Sequence, residues 1–237
     1  MDRRLTSPLL AEAFGTFLFF FVAAGSIVVQ AYPGAAGGSG LVGIALAHGL
    51  VLAVLVSALG SVSGAHFNPA VTFGVWIAGR IDGSRAVAYV IAQLVGALVA
   101  GFALRFAFDA SLDTTSLGTP ALGAAVSPTT GIAVEAILTM VLMTAVFGTA
   151  VDPRAPKIGG LAIGLAVAAD ILMGGPMTGA AMNPARWFGP AIASGALDNW
   201  YVWWIGPLIG AGVVAVIYRS LFLTEADLDR TPASPEG

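Results

Sequence analysis

Six stretches of the chain are apolar for long enough to cross a bilayer, and that feature alone removes soluble folds from consideration. A hydrocarbon core about 30 Å thick takes about 20 mostly apolar residues as a helix. The runs Leu9–Ala31, Leu41–Leu59, Arg85–Leu104, Thr130–Ala150, Ile158–Gly174 and Tyr201–Leu223 qualify, with soft ends. The charges that a water-exposed surface needs are missing: 10% of the 237 residues are charged and 57% hydrophobic, where a soluble protein averages about 25% charged. An all-α integral membrane protein with six transmembrane helices is expected. The first run is too long for the apolar part of a cleavable signal, carries Glu12 near its start, and precedes no small-residue cleavage site, so it reads as a resident span.

Composition narrows the chemistry. Ten Lys and Arg against thirteen Asp and Glu give a net charge of −3, with no basic excess to hold nucleic acid. The chain has no cysteine and two histidines, which excludes disulfides, thiolate metal sites, Cys nucleophiles and a His-rich metal centre; no cofactor is expected.

Orientation follows from the basic residues. With the N-terminus inside, Arg3, Arg4, Arg80, Arg85, Arg154, Lys157, Arg219 and Arg230 all fall on the cytoplasmic side, and Arg105 and Arg186 alone fall outside. That asymmetry places both termini in the cytoplasm. Trp200, Tyr201, Trp203 and Trp204 read as an outer interfacial belt. The tail Glu225–Gly237, rich in acidic residues and proline, is expected to be a disordered cytoplasmic end. Short termini without targeting signals point to a plasma or inner membrane.

Two shorter segments lie outside the six spans: GAHFNPAVTFGVWIA at 64–78 and GAAMNPARWFGPAIA at 179–193. Both contain Asn-Pro-Ala, and two of the chain's three asparagines, Asn68 and Asn183, open that tripeptide 115 residues apart. Glu12 and Glu135, each heading the apolar part of a span, repeat at an offset of 123. The chain is therefore expected to be one membrane domain built by duplication, with halves of about 1–118 and 119–223. Three spans per half is an odd number, so the second half enters the bilayer from the opposite face as an inverted repeat.

Asparagine is a favoured N-cap and proline is favoured at the first helical position. Asn68, Pro69, Ala70 and Asn183, Pro184, Ala185 therefore each start a helix, over Pro69–Ala78 and Pro184–Ala193. Ten residues make about 15 Å, half the hydrocarbon core. Two re-entrant half-helices meeting tip to tip would complete a seventh, discontinuous span. The loops feeding them, Gly60–Phe67 and Met173–Met182, must be buried or wet, because bare backbone cannot face lipid. With their oxygens capping the helices, the two Asn amides are left as donors aimed into a lumen, beside two positive helix ends.

From Glu12 to Tyr218 the chain resembles the aquaporins, the major intrinsic protein family, most specifically in SGAHFNPAVT at 63–72 and MNPARWFGP at 182–190. The resemblance implies a right-handed bundle with one pore per subunit, a homotetramer, and a passive channel for water and small neutral solutes that excludes protons and ions. A water held by both amides points its protons away along the pore and cannot relay a proton, while the helix ends repel cations, as is known of aquaporin-type pores. The resemblance also implies a selectivity filter at His48, Ile171, Ala180 and Arg186. Strict water channels of the family carry Phe and His where this chain has His48 and Ile171. The wider, half-apolar set is similar to filters of plant tonoplast intrinsic proteins, which pass ammonia and often urea or hydrogen peroxide. Glycerol facilitators, the alternative within the family, have Asp and a basic residue where this chain has Trp187 and Ala191. A secondary transporter also suits inverted repeats, but no intramembrane Lys or acidic cluster is present to couple it. No nucleophile–base pair suggests an enzyme.

The remaining intramembrane polar residues read as support. Glu12 and Glu135 are placed to accept backbone N–H bonds from the loops, His66 to bond loop backbone, and Gln93 to bond one of the loops. Gly49 and Gly164 allow the second and fifth spans to cross closely. Asp170 is expected either to pair with a loop group or to add polarity to the outer vestibule. Trp187, where most water channels have Ser, has no role legible in the sequence.

Overall fold

The computed structural model describes residues 3–32, 38–108, 110–156 and 158–224. Those residues form α1 (Arg3–Val28), α2 (Gly40–Ser63), α3 (Pro69–Ile77), α4 (Gly83–Ala107), α5 (Pro128–Val146), α6 (Gly159–Thr178), α7 (Pro184–Ser194) and α8 (Val202–Ile217), with no strand among them. Single π-helical turns, Phe147–Val151 and Tyr218–Phe222, prolong α5 and α8. Each expected span coincides with one of six helices long and apolar enough to cross a membrane. Their ends are set by local chemistry. Asp82 Oδ1 accepts from Arg85 N at 2.9 Å to start α4; Ser127 Oγ accepts from Thr130 N at 3.1 Å, with Pro128 next in line, to start α5.

The duplication appears in the packing. α1 lies on α4 as α5 lies on α8; α3 packs on α8 as α7 packs on α4; α2 crosses its own counterpart, α6. At that crossing Gly49 and Gly164 touch: a Cβ on Gly164 would sit 2.2 Å from the Gly49 carbonyl oxygen, so neither position has room for a side chain. The bundle is apolar outward and polar inward. Val42, Leu46, Leu50 and Val54 form an exposed stripe on α2, whereas Glu12, Thr16, Gln93, Glu135 and Thr139 are fully buried.

The re-entrant loops are shorter than the expected Gly60–Phe67 and Met173–Met182. α2 runs on to Ser63 and α6 to Thr178, each stopped by a glycine in the left-handed region, Gly64 at φ 88° and Gly179 at φ 79°. Continuing the helix satisfies backbone groups that a loop would strand at membrane depth. Arg154 donates to the Phe222 carbonyl and Arg219 to that of Ile77, both at 2.9 Å, gathering basic residues at one end of the bundle; Arg105 bonds the Ala193 carbonyl at the other. Lys157, Arg230 and the tail Glu225–Gly237 lie outside the described residues.

Candidate functional site

Each half-helix begins at its asparagine. Asn68 Oδ1 accepts from Ala70 N at 2.8 Å and Val71 N at 3.4 Å; Asn183 Oδ1 accepts from Ala185 N at 3.0 Å and Arg186 N at 3.3 Å. At nine and eleven residues, the half-helices are about 14 and 17 Å long. They face each other directly. Asn68 Nδ2 donates to the Met182 carbonyl at 2.9 Å, and Asn183 Nδ2 to the Phe67 carbonyl at 3.0 Å. This corrects the expectation that the amides point wholly into a lumen: one proton of each amide ties it to the opposite loop, leaving one per amide for a solute.

Two buried carboxylates hold the loops. Glu12 Oε1 accepts from Ser63 Oγ at 2.7 Å and His66 N at 2.9 Å, and its Oε2 from Phe67 N at 2.7 Å and Gln93 Nε2 at 2.8 Å. Glu135 Oε1 accepts from Thr178 Oγ1 at 2.6 Å and Ala181 N at 3.0 Å, and its Oε2 from Met182 N at 2.7 Å. All seven partners are donors, the surroundings a carboxylate needs when buried. The grip holds Ala65, Phe67, Ala180 and Met182 at φ between 44° and 52°, conformations that non-glycine residues keep only where their surroundings compel it. Among the described residues no group donates to the carbonyls of Ala65, His66, Ala180 or Ala181, so these oxygens are free to meet a solute.

A cavity with about 140 Å³ open to water-sized molecules runs past these loops. Ala150, Val151 and Ile163 line one end, Asn68 and Asn183 the middle, and His48, Ala180 and Arg186 the other; Leu52, Val71, Val75, Leu142 and Val167 supply apolar wall. His48 Nδ1 bonds the Ile44 carbonyl at 2.9 Å, and its Nε2 accepts from Arg186 Nε at 3.3 Å. The two partners select the neutral tautomer protonated at Nδ1. Arg186 Nη1 donates to the Gly118 carbonyl at 2.8 Å, while its buried Nη2 has no partner among the described residues. A guanidinium so placed puts a fixed positive charge in the wall of the cavity.

Residues 3–218 match the major intrinsic protein family. The chain belongs to that family. Its members are passive channels, not enzymes. This major intrinsic protein is 45% identical to aquaporin TIP4-4 of Zea mays over 98% of this chain and 92% of that one. It is 41% identical to aquaporin TIP2-1 of Arabidopsis thaliana over 92% of this chain and 88% of that one. Its fold matches the X-ray structure of the aquaglyceroporin from Plasmodium falciparum, with a TM-score of 0.82 at 23% identity over 94% of this chain and 99% of that one.

Several expectations need correction in this family member. Ile171 is buried and is not among the residues that line the cavity; the lining of α6 stops at Val167, one turn before it. The His66 ring bonds the Thr72 hydroxyl at 3.0 Å rather than loop backbone. Gln93 reaches Glu12 and, at 2.9 Å, Thr72, and no loop backbone group. Asp170 is buried, and its Oδ2 has no partner among the described residues; nothing in the structure explains it. Sequence reasoning overlooked Ser63 and Thr178, whose hydroxyls bond the carboxylates and accept from Ala65 N and Ala180 N at 3.0 and 3.1 Å. Both stand five residues before a motif asparagine, so the repeat itself carried the signal.

Proposed function

We propose that this protein is a passive transmembrane channel for water and small neutral solutes, ammonia, urea and hydrogen peroxide among them, that excludes protons and ions. The reciprocal Asn68–Met182 and Asn183–Phe67 hydrogen bonds carry the reading, because they hold two helix N-termini tip to tip on the wall of one cavity. A water in that cavity accepts from the spare amide protons and turns its own protons outward; the free carbonyls lead it in and out. His48, Ala180 and Arg186 form the constriction, and Arg186 rejects cations through its charge. The resemblance to TIP-type aquaporins supports a constriction wide enough for ammonia or urea.

The functional unit in this reading is a homotetramer with cytoplasmic termini and a pore in each subunit. A plasma or inner membrane is the location read from the sequence, whereas the TIP-type relatives favour a vacuolar membrane; imaging a tagged chain in its native cell separates the two. Stopped-flow light scattering of proteoliposomes tests the function, comparing water, ammonia, urea and glycerol with protein-free vesicles. Water flux no faster than that of empty vesicles would remove the channel reading. Arg186→Val is expected to keep water flux and admit small cations; continued exclusion of cations would take Arg186 out of the constriction.

A further inference from the structure

The two halves brace their loops by different means. In the first half, Thr72 Oγ1 accepts from Gln93 Nε2 at 2.9 Å and shares a hydrogen bond of 3.0 Å with His66 Nδ1. The His66 ring also lies edge-on to Tyr89, whose hydroxyl donates to the Ser63 carbonyl at 2.8 Å. The loop and its half-helix repeat at an offset of 115, which pairs Thr72 with Trp187 and His66 with Ala181. Gly96 and Gly210, pressed alike against the carbonyls of Ala13 and Ala136, set an offset of 114 for α4 and α8. That offset pairs Gln93 with Pro207 and Tyr89 with Trp203. Neither Ala181 nor Pro207 has a side-chain donor or acceptor, so the polar bracket has no counterpart behind the second loop.

An aromatic bracket stands there instead. The rings of Trp187 and Trp203 stack with centroids 5.8 Å apart and planes 8° from parallel, and both side chains are buried. Trp203 Nε1 donates to the Thr178 carbonyl at 3.0 Å, the counterpart of the Tyr89 bond. Thr178 in turn bonds Glu135 and Ala180 N, and Trp187 directly follows Arg186 in α7. Trp187 Nε1 has no partner among the described residues, so the indole acts through its area and not its N–H.

We propose that Trp187 is a positioning residue for the constriction: stacked on Trp203, it fixes the start of α7 and the Gly179–Met182 loop, and so sets where Arg186 stands and which solutes are rejected. The inference rests on the reading of Arg186 as the constriction residue. Loss of the stack frees the guanidinium to swing, which admits wider solutes more than it alters water.

Purified wild-type, Trp187→Ala, Trp187→Phe and Trp203→Leu proteins, reconstituted and compared by stopped flow for glycerol and water, test it. Trp187→Ala is expected to raise the glycerol-to-water permeability ratio several-fold, and Trp187→Phe, which keeps a stacking ring, to restore the wild-type ratio. A wild-type ratio in Trp187→Ala overturns the proposal, as does a ratio in Trp187→Phe equal to that of Trp187→Ala. Should Trp187→Ala fail to fold, Trp203→Leu decides, since it keeps apolar bulk but removes the ring on which Trp187 stacks: a raised ratio supports the bracket and an unchanged one overturns it. Wild-type protein that passes no water above empty vesicles is a separate result, which removes the pore and this inference with it.

Discussion

Glu135→Gln exchanges one atom at the point where the outer loop is tied to the bundle, and its cost can be worked from the contacts. The carboxylate is fully buried and accepts from the Thr178 hydroxyl and the Ala181 and Met182 amides. Hydrogen bonds to a charged group are worth about 1.5–3 kcal/mol each, so roughly 4–9 kcal/mol together. Against them stand Ala180 and Met182 at φ 44° and 52°, a strain of about 1–3 kcal/mol apiece and roughly 2–6 kcal/mol in all. In the native protein the bonds outweigh the strain. Glutamine reverses the balance. The Thr178 hydroxyl can turn, but whichever way the new amide lies, its NH₂ faces either Ala181 N–H or Met182 N–H, and that donor is stranded. Two neutral bonds at about 0.5–1.5 kcal/mol each leave roughly 1–3 kcal/mol, too little to hold both residues left-handed.

The loop is therefore expected to relax in Glu135→Gln, with a loss of about 3 kcal/mol or more and a Tm lower by roughly 6–12 °C for a chain of this size. Water flux in proteoliposomes should fall several-fold, because the free carbonyls lose their alignment. Thr178→Val, which removes one donor and leaves both backbone bonds, should cost less in both measurements. Wild-type Tm and flux in Glu135→Gln would show that the carboxylate does not hold the strained loop.

Three further outcomes are expected. His48→Phe removes the acceptor for Arg186 Nε and adds bulk at the constriction; it should cut ammonia or urea flux more than water flux, and equal losses would count against a wide filter. Gly164→Ala places a Cβ 2.2 Å from the Gly49 carbonyl oxygen and 2.7 Å from Ala53 Cβ, overpacking that costs about 1–3 kcal/mol; an unchanged Tm would mean that α2 and α6 part without penalty. The hydrogen bond from Arg154 holds the Asp152 carboxyl below the usual carboxylate range. Its contribution to stability is present above that range and lost as pH falls through the lowered value. Asp152→Asn should therefore lower Tm slightly at neutral pH, the pair being partly exposed, with the gap closing in acid; a gap independent of pH would refute the linkage.

What could be read from the sequence is what the backbone requires. Asn-Pro-Ala names a capping side chain and a residue without an N–H, so both half-helix starts were legible at Asn68 and Asn183. Glu12 and Glu135 were legible as loop supports because a membrane-buried carboxylate must find donors, and backbone amides displaced from a helix must find acceptors. Hydropathy misjudged the ends of α2 and α6 for a related reason: Gly60–Ser63 and Gly175–Thr178 are interrupted by glycine, serine, proline and threonine, yet at membrane depth they stay helical until a left-handed glycine ends them. Which residues of α6 reach the cavity was not legible, because that depends on packing between elements far apart in sequence, as the bond between Arg186 and His48, residues 138 apart, illustrates. The offsets then separate what the pore demands from what the scaffold permits. From Ser63 and Thr178 through Thr72 and Trp187 the halves keep an offset of 115, whereas α1 and α5 have slipped to 123 and α4 and α8 to 114. Insertions between spans are absorbed because a carboxylate reaches its loop from a different helix. One inserted residue inside the loop would rotate every carbonyl and both amides off the lumen, so the backbone there is held constant. The side chains behind it are free to diverge into a polar bracket on one side and an aromatic one on the other.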